Sequence, residues 1–306
     1  MKSVMPATTA LVAFVTFPAF ATDLPSTKSE PALPMLAATP IYDANNQISV
    51  DFLNEWLSYT EYAYYATNLT PVGGKLDSEN GSLPGANVSV SLMRNLMVDN
   101  LYLNAQFSYV SGNTTYDGST CVIGGACIPL TKTNRATIYG TDFRLGKGFS
   151  LAPNVMLTPY FGIGTNYWLR RGRYSETYTN DYAGGGLLAQ YAPTDKLVLS
   201  AYGLIGGTFG SHISVGTAGP NSPAWSGSLG DSGIYKLGLS ADYALTRNIH
   251  VNAGVDYVDF RYGHSAVRPV TGQVEPNSTT SNVMLKVGVG YSFGDFASAA
   301  PVVAKY

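Results

Sequence analysis

The stretch 282–293, NVMLKVGVGYSF, most narrows what this chain can become. Val283, Leu285, Val287, Val289, Tyr291 and Phe293 share one parity, and Met284, Lys286, Gly288, Gly290 and Ser292 the other. A period of two places the first set on one face of a β-strand and the second on the opposite face. One face is bulky and apolar, while the other carries a single charge and very small residues. A soluble barrel would turn its apolar face inward and its charges outward; here the charges are few and scattered among Gly and Ser. The pattern suits a strand with lipid on one side and a narrow interior on the other.

Nine further stretches carry strand character, at about 51–66, 86–94, 100–111, 135–146, 155–170, 182–192, 197–209, 233–245 and 250–261. Most are close to the nine to eleven residues a tilted strand needs to cross a bilayer. Pro159 calls for a strand start or a bulge. The connections alternate in length. Short ones lie at 95–99, 147–154, 193–196 and 246–248, and long polar ones at 67–85, 112–134, 171–181, 210–232 and 263–281. A barrel with both termini in the periplasm needs short inner turns and long outer loops in this order. The expected fold class is therefore all-β, an antiparallel transmembrane β-barrel of ten strands, with eight or twelve as the alternatives. Aromatic residues near strand ends (Tyr62, Tyr64, Tyr65, Tyr109, Tyr167, Trp168, Tyr257, Phe260, Tyr291, Phe293) are expected to form interfacial girdles.

Residues 1–21 read as a secretory signal peptide, with Lys2, an apolar run over 10–20 and Ala19-Phe20-Ala21 as the cleavage site. Residues 22–48, rich in Pro, Ala and Ser, read as a flexible periplasmic lead-in. The barrel is expected over 49–293, and 294–306 as a short periplasmic tail. Only 12% of residues are charged, while Gly (33) and Tyr (22) abound. Alternating lipid-facing and interior residues produce such an average. A net charge of −2 leaves no basic footprint for nucleic acid.

With its aromatic end, 282–293 resembles the closing strand of bacterial outer-membrane barrels, although in that family the final aromatic usually ends the chain. Over 49–293 the sequence resembles the small barrels of OmpA type and opacity-protein type. The resemblance implies location in the bacterial outer membrane and folding by the barrel-assembly machinery. It further implies a structural or adhesin-like role without catalysis, with loops that meet an external ligand or host surface. A narrow porin is the alternative, and an outer-rim enzyme of omptin or lipid A deacylase type a third reading.

Particular residues sharpen these expectations. Cys121 and Cys127, the only cysteines, lie in one outer loop of an exported chain and are expected to form a disulfide. Asp142, Arg144, Lys236, Asp242, Asp256 and Lys286 fall on the polar parity and are expected to meet in a charge network inside the lumen, with Glu55 or Glu61 as additions. Arg170, Arg171 and Arg173 at the start of a long loop are expected to contact lipopolysaccharide phosphates. The three histidines are His212, His250 and His264. Neither rim histidine, His212 or His264, has an Asp two positions earlier, as the omptin pattern requires, although His212-Ile213-Ser214 has the His-x-Ser order of the deacylases. No catalytic, cofactor or metal site is read from the sequence.

Overall fold

The computed structural model describes residues 39–64, 71–121, 127–172, 175–217, 223–268 and 274–293. The expected signal peptide, the tail and most of the lead-in lie outside them. A short helix, α1 (Thr39–Ala44), precedes the strands β1 (Gln47–Tyr64), β2 (Pro71–Arg94), β3 (Leu101–Cys121), β4 (Cys127–Lys147), β5 (Phe149–Ala152) and β6 (Val155–Arg171). These are followed by β7 (Ser175–Tyr191), β8 (Leu197–Val215), β9 (Trp225–Ser228), β10 (Gly233–Ala244), β11 (Ile249–Tyr262) and β12 (Ser278–Ser292). Every pairing is antiparallel, and sequential long strands are neighbours. β8 pairs β10, and β12 pairs β1, so the sheet closes on itself as a ten-stranded barrel. β5 pairs only with the foot of β6, and β9 only with the outer end of β8.

Alternation sets which way each side chain faces. Val50, Phe52, Phe107, Phe143, Phe161, Ile205, Leu237, Leu239, Val287 and Val289 are all exposed, and together they form an outward apolar belt. Their strand neighbours Asp51, Leu53, Asp142, Arg144 and Leu204 are buried inside. In water such a belt would be a large hydrophobic liability. In a bilayer it is the required surface. Closure leaves no unpaired edge through the belt, which the hydrocarbon would not tolerate.

The ten expected strands are present and run longer than expected on the outer side. β2 begins at Pro71, and β3 and β4 reach Cys121 and Cys127, so most of the expected loops 67–85 and 112–134 are ladder. These segments show little apolar alternation because both faces lie beyond the lipid, and backbone pairing needs no such contrast. The lead-in also ends earlier than expected, since residues 39–48 form α1 and the start of β1. Ile41 is fully buried there, because its side chain enters the foot of the barrel. Pro159 makes no bulge. The β4 ladder on β6 stops at Gly146↔Tyr160 and that of β5 starts at Phe149↔Leu157, so the missing N–H falls in the gap between them.

The girdle needs one correction. Tyr62, Tyr109, Tyr257 and Tyr291 are exposed, and Tyr139 stacks on Tyr167 at 4.1 Å on the outer surface. Trp168 and Phe260 instead point into the lumen and are buried. Each sits one residue out of phase with the girdle position beside it.

Candidate functional site

From the periplasmic foot outward, the lumen is filled in layers. At the foot, α1 packs beneath the barrel. The Tyr42 hydroxyl donates to Asn100 Oδ1, Asn45 Nδ2 to Gln190 Oε1 at 2.7 Å, and the Met93 backbone N–H to Asn46 Oδ1 at 3.0 Å. Asp242 lies just inside, where it meets His250 Nδ1 at 2.5 Å and accepts from Gln47 Nε2 at 3.0 Å. Asp242 therefore stands apart from the other charges expected to share its network.

The next layer brings the remaining five together. Asp142 bridges Arg144 Nε at 2.6 Å and Lys236 Nζ at 2.5 Å, and accepts from the Tyr182 hydroxyl at 2.6 Å. Lys286 pairs with Asp256 at 2.6 Å. The Arg144 guanidinium lies 4.1 Å from the Tyr202 ring centre, a cation–π contact that holds it across the bore. Asp51 accepts from Asn87 at 2.7 Å on the adjoining wall of β1 and β2. Local spacing explains the grouping: Asp142 and Arg144 are two apart on one inward face, and Lys236 approaches from β10.

Glycines leave room for this layer. A Cβ on Gly238 would stand 2.1 Å from the Tyr202 ring and 2.4 Å from Asp256 Oδ1. One on Gly186 would stand 2.3 Å from the Tyr160 ring.

Above the charges lies an aromatic layer that composition alone does not show. Trp168 stacks on Tyr178 at 5.0 Å and meets Tyr59 edge-on at 4.9 Å, while Tyr178 touches Tyr262 at 5.6 Å. These rings come from β1, β6, β7 and β11 and close the bore from several sides.

The outermost layer is a second ion cluster. Arg170 binds Glu79 through Nε, Glu176 at 2.7 Å and Glu61 at 3.7 Å. Thr114 and Asn134 also donate to Glu79, and Tyr116 donates to Asp77 at 2.9 Å. The Tyr178 hydroxyl donates to Glu275 Oε1 at 2.6 Å, which ties the segment between β11 and β12 to the barrel wall. Burial, followed by the nearby Glu176 carboxylate, raises the Glu275 pKa to about 8.

Arg170 is thus no surface contact for lipopolysaccharide, because its parity turns it inward onto three carboxylates. Arg173 lies outside the described residues. Arg171 is exposed on the outer face, directly opposite Arg135, which is exposed as well. Sequence reasoning missed Arg135 because no sequence proximity links it to 170–173; register alone pairs them. Cys121 and Cys127 are the outermost cross-strand pair of β3 and β4, and their side chains lie outside the described residues. His264 is exposed, with Nδ1 near the Ser265 carbonyl, and His212 is half-buried just beyond a β-bulge at Gly210 within β8. Among the described residues the one His–carboxylate ion pair is His250–Asp242, at the foot rather than the rim.

No known protein-family profile matches the chain, and no curated protein matches its sequence. Solved structures do match. The outer membrane protease OmpT from Escherichia coli is 12% identical with a TM-score of 0.55, over 81% of this chain and 95% of that one. OprG from Pseudomonas aeruginosa is 12% identical over 81% and 98%, with a TM-score of 0.29. Ail of Yersinia pestis is 9% identical over 81% and 99%, also with a TM-score of 0.29. At 12% identity the likeness to OmpT shows the fold alone. With the closed sheet and the outward apolar belt, it makes this protein an integral β-barrel of the bacterial outer membrane.

Proposed function

We propose that this protein is a closed, non-conducting outer-membrane barrel that acts through its outer surface and performs no catalysis. One observation carries the reading: the bore is occupied by α1, by the Asp142 charge layer and by the aromatic layer in succession. Small barrels are normally filled by side chains, and paired charges with hydrogen-bonded partners make such filling stable. The carboxylates Glu61, Glu79 and Glu176 near the outer rim are engaged by Arg170. The β2–β4 extension offers a rigid platform for an external ligand or surface, and the barrel-assembly machinery is the partner during biogenesis.

Lipid phosphate is the second partner. Two arginines directly opposed across a ladder repel each other, and a shared anion relieves the repulsion while accepting charge-assisted bonds from both. Arg135 and Arg171 stand four residues outward of the stacked Tyr139–Tyr167 pair. Interfacial aromatics mark the headgroup level, so lipopolysaccharide phosphates fall within their reach.

Single-channel recording on the refolded protein in a planar bilayer tests the closed lumen. The expected result is a silent bilayer, with folding established by heat-modifiable gel migration. Steady conductance that shifts with Lys286→Ala or Asp142→Ala overturns the reading in favour of a narrow porin.

A further inference from the structure

Between the charge layer and the aromatic layer lies a chamber of about 90 Å³. Leu53, Leu57, Ile138, Val258, Phe260 and Met284 supply its apolar wall. Three polar atoms on its lining are buried with no hydrogen-bond partner among the described residues: Trp168 Nε1, Thr280 Oγ1 and Asn282 Oδ1. Trp168 is 5%, Thr280 3% and Asn282 8% exposed, so none of the three turns to bulk solvent. Thr280 and Asn282 are successive inward positions of β12. Trp168 is on β6, five strands away around the ring and thus on the opposite wall. One donor, one hydroxyl and one acceptor therefore converge on the same space from two sides.

We propose that this chamber is a binding site for a small neutral molecule with a short apolar body and one hydrogen-bonding head, such as a short-chain alcohol. Buried polar atoms without partners cost free energy, and a hydroxyl can satisfy both a donor and an acceptor. The floor selects against charge. Each of its three cations is already paired, Arg144 and Lys236 with Asp142 and Lys286 with Asp256, so none is left free for an anionic ligand. Glu55 on the same wall already accepts from Asn282 Nδ2 at 2.5 Å. Size sets the class: a cavity of about 150 Å³ takes benzene, with six heavy atoms, so this smaller one takes a body of about four or five. Water alone would meet the polar atoms but would leave the apolar wall wetted.

Methyl-¹³C methionine NMR of the full-length protein refolded in detergent micelles tests the proposal. Met284 lines the chamber, while Met93 and Met156 are buried lower in the barrel and serve as internal references. Titration with 1-butanol should shift the Met284 methyl saturably and leave Met93 and Met156 in place, and butyrate at the same concentrations should do nothing. Thr280→Val should weaken butanol about tenfold, Thr280→Ser should restore it, and Val258→Phe, which fills the space, should abolish the shift. A Met284 response that is linear, that moves with Met93 and Met156, or that survives Val258→Phe overturns the proposal and identifies a water-filled void. Saturable butyrate binding overturns the neutral class. The chamber is present whether or not ions pass, so the bilayer result and the NMR result stand independently.

Discussion

At the scale of single residues, the lumen shows how much depends on a few pairings. Asp142 holds two cations and a tyrosine hydroxyl at once. Removing it as Asp142→Ala strands Arg144 and Lys236 without a counter-charge, which costs about 3–5 kcal/mol in a buried site. Urea unfolding in micelles should show a midpoint shift of that size, whereas the exposed Lys75→Ala, whose partner Asp117 is also exposed, should shift it by less than about 1 kcal/mol. Gly238→Ala tests the space around the same layer. Its new Cβ collides with the Tyr202 ring, which cannot leave Arg144 without breaking the cation–π contact, so the folded fraction on heat-modifiable gels should drop below that of Gly185→Ala, where the added Cβ meets nothing. Glu275 lies outside the strands and sets a pH dependence. Its carboxyl is raised from 4.5 to about 8 in the fold, so the folded state holds the proton where the unfolded state has lost it. The anchoring of residues 274–277 is then fully stable below about pH 4.5 and weakens as pH rises to 8, with an opening constant that grows up to about tenfold per pH unit. Limited proteolysis between pH 5 and 8 should report this slope, and Glu275→Gln should flatten it.

At the scale of elements, parity and register make the contacts. Glu61, Asp77, Glu79 and Arg170 sit on β1, β2 and β6, and each is the inward residue of its strand at the outer end. In sequence, Asp77 and Glu79 fall in the expected loop 67–85, Arg170 reads as a rim contact and Glu61 as an optional lumen charge, because the neighbouring outward residues there are polar as well. The Arg135–Arg171 pair is a register product of the same kind. Arg135→Ala and Arg171→Ala should each reduce co-purifying lipopolysaccharide, measured by phosphate or by native mass spectrometry, and Lys75→Ala should not. Retention of the same lipid load by the double variant would remove the arginine pair from the lipid-binding proposal. The outer end of the β3–β4 ladder opposes Cys121 to Cys127. Directly opposed residues on antiparallel strands have Cα atoms about 4.5–5.5 Å apart, within the range a disulfide spans. Intact-mass analysis of protein exported to the periplasm should show two fewer hydrogens and no alkylation before reduction; quantitative alkylation without reductant would contradict the bridge.

At the scale of the whole molecule, closure of β12 on β1 and β8 on β10 removes every edge within the membrane, and α1 then covers the foot. Deleting 36–46 should leave the bilayer silent, because the charge and aromatic layers still fill the bore; ion flow through that truncated protein would assign the block to α1 alone. The chain's alternation determined the strand number, their order, the membrane and the inward side of most residues, because a period of two needs no knowledge of what stands opposite. It also placed Asp142, Arg144, Lys236, Asp256 and Lys286 on the inner face. It could not set the height of each strand against its neighbours. That stagger decided that Asp242 meets His250 instead of the other charges and that Arg171 finds Arg135, whereas parity alone turns Trp168 and Phe260 inward, out of the girdle. Parity is written two residues at a time, whereas contact across a lumen joins residues from different strands, 94 apart for Asp142 and Lys236, and depends on closure, which only the folded barrel supplies.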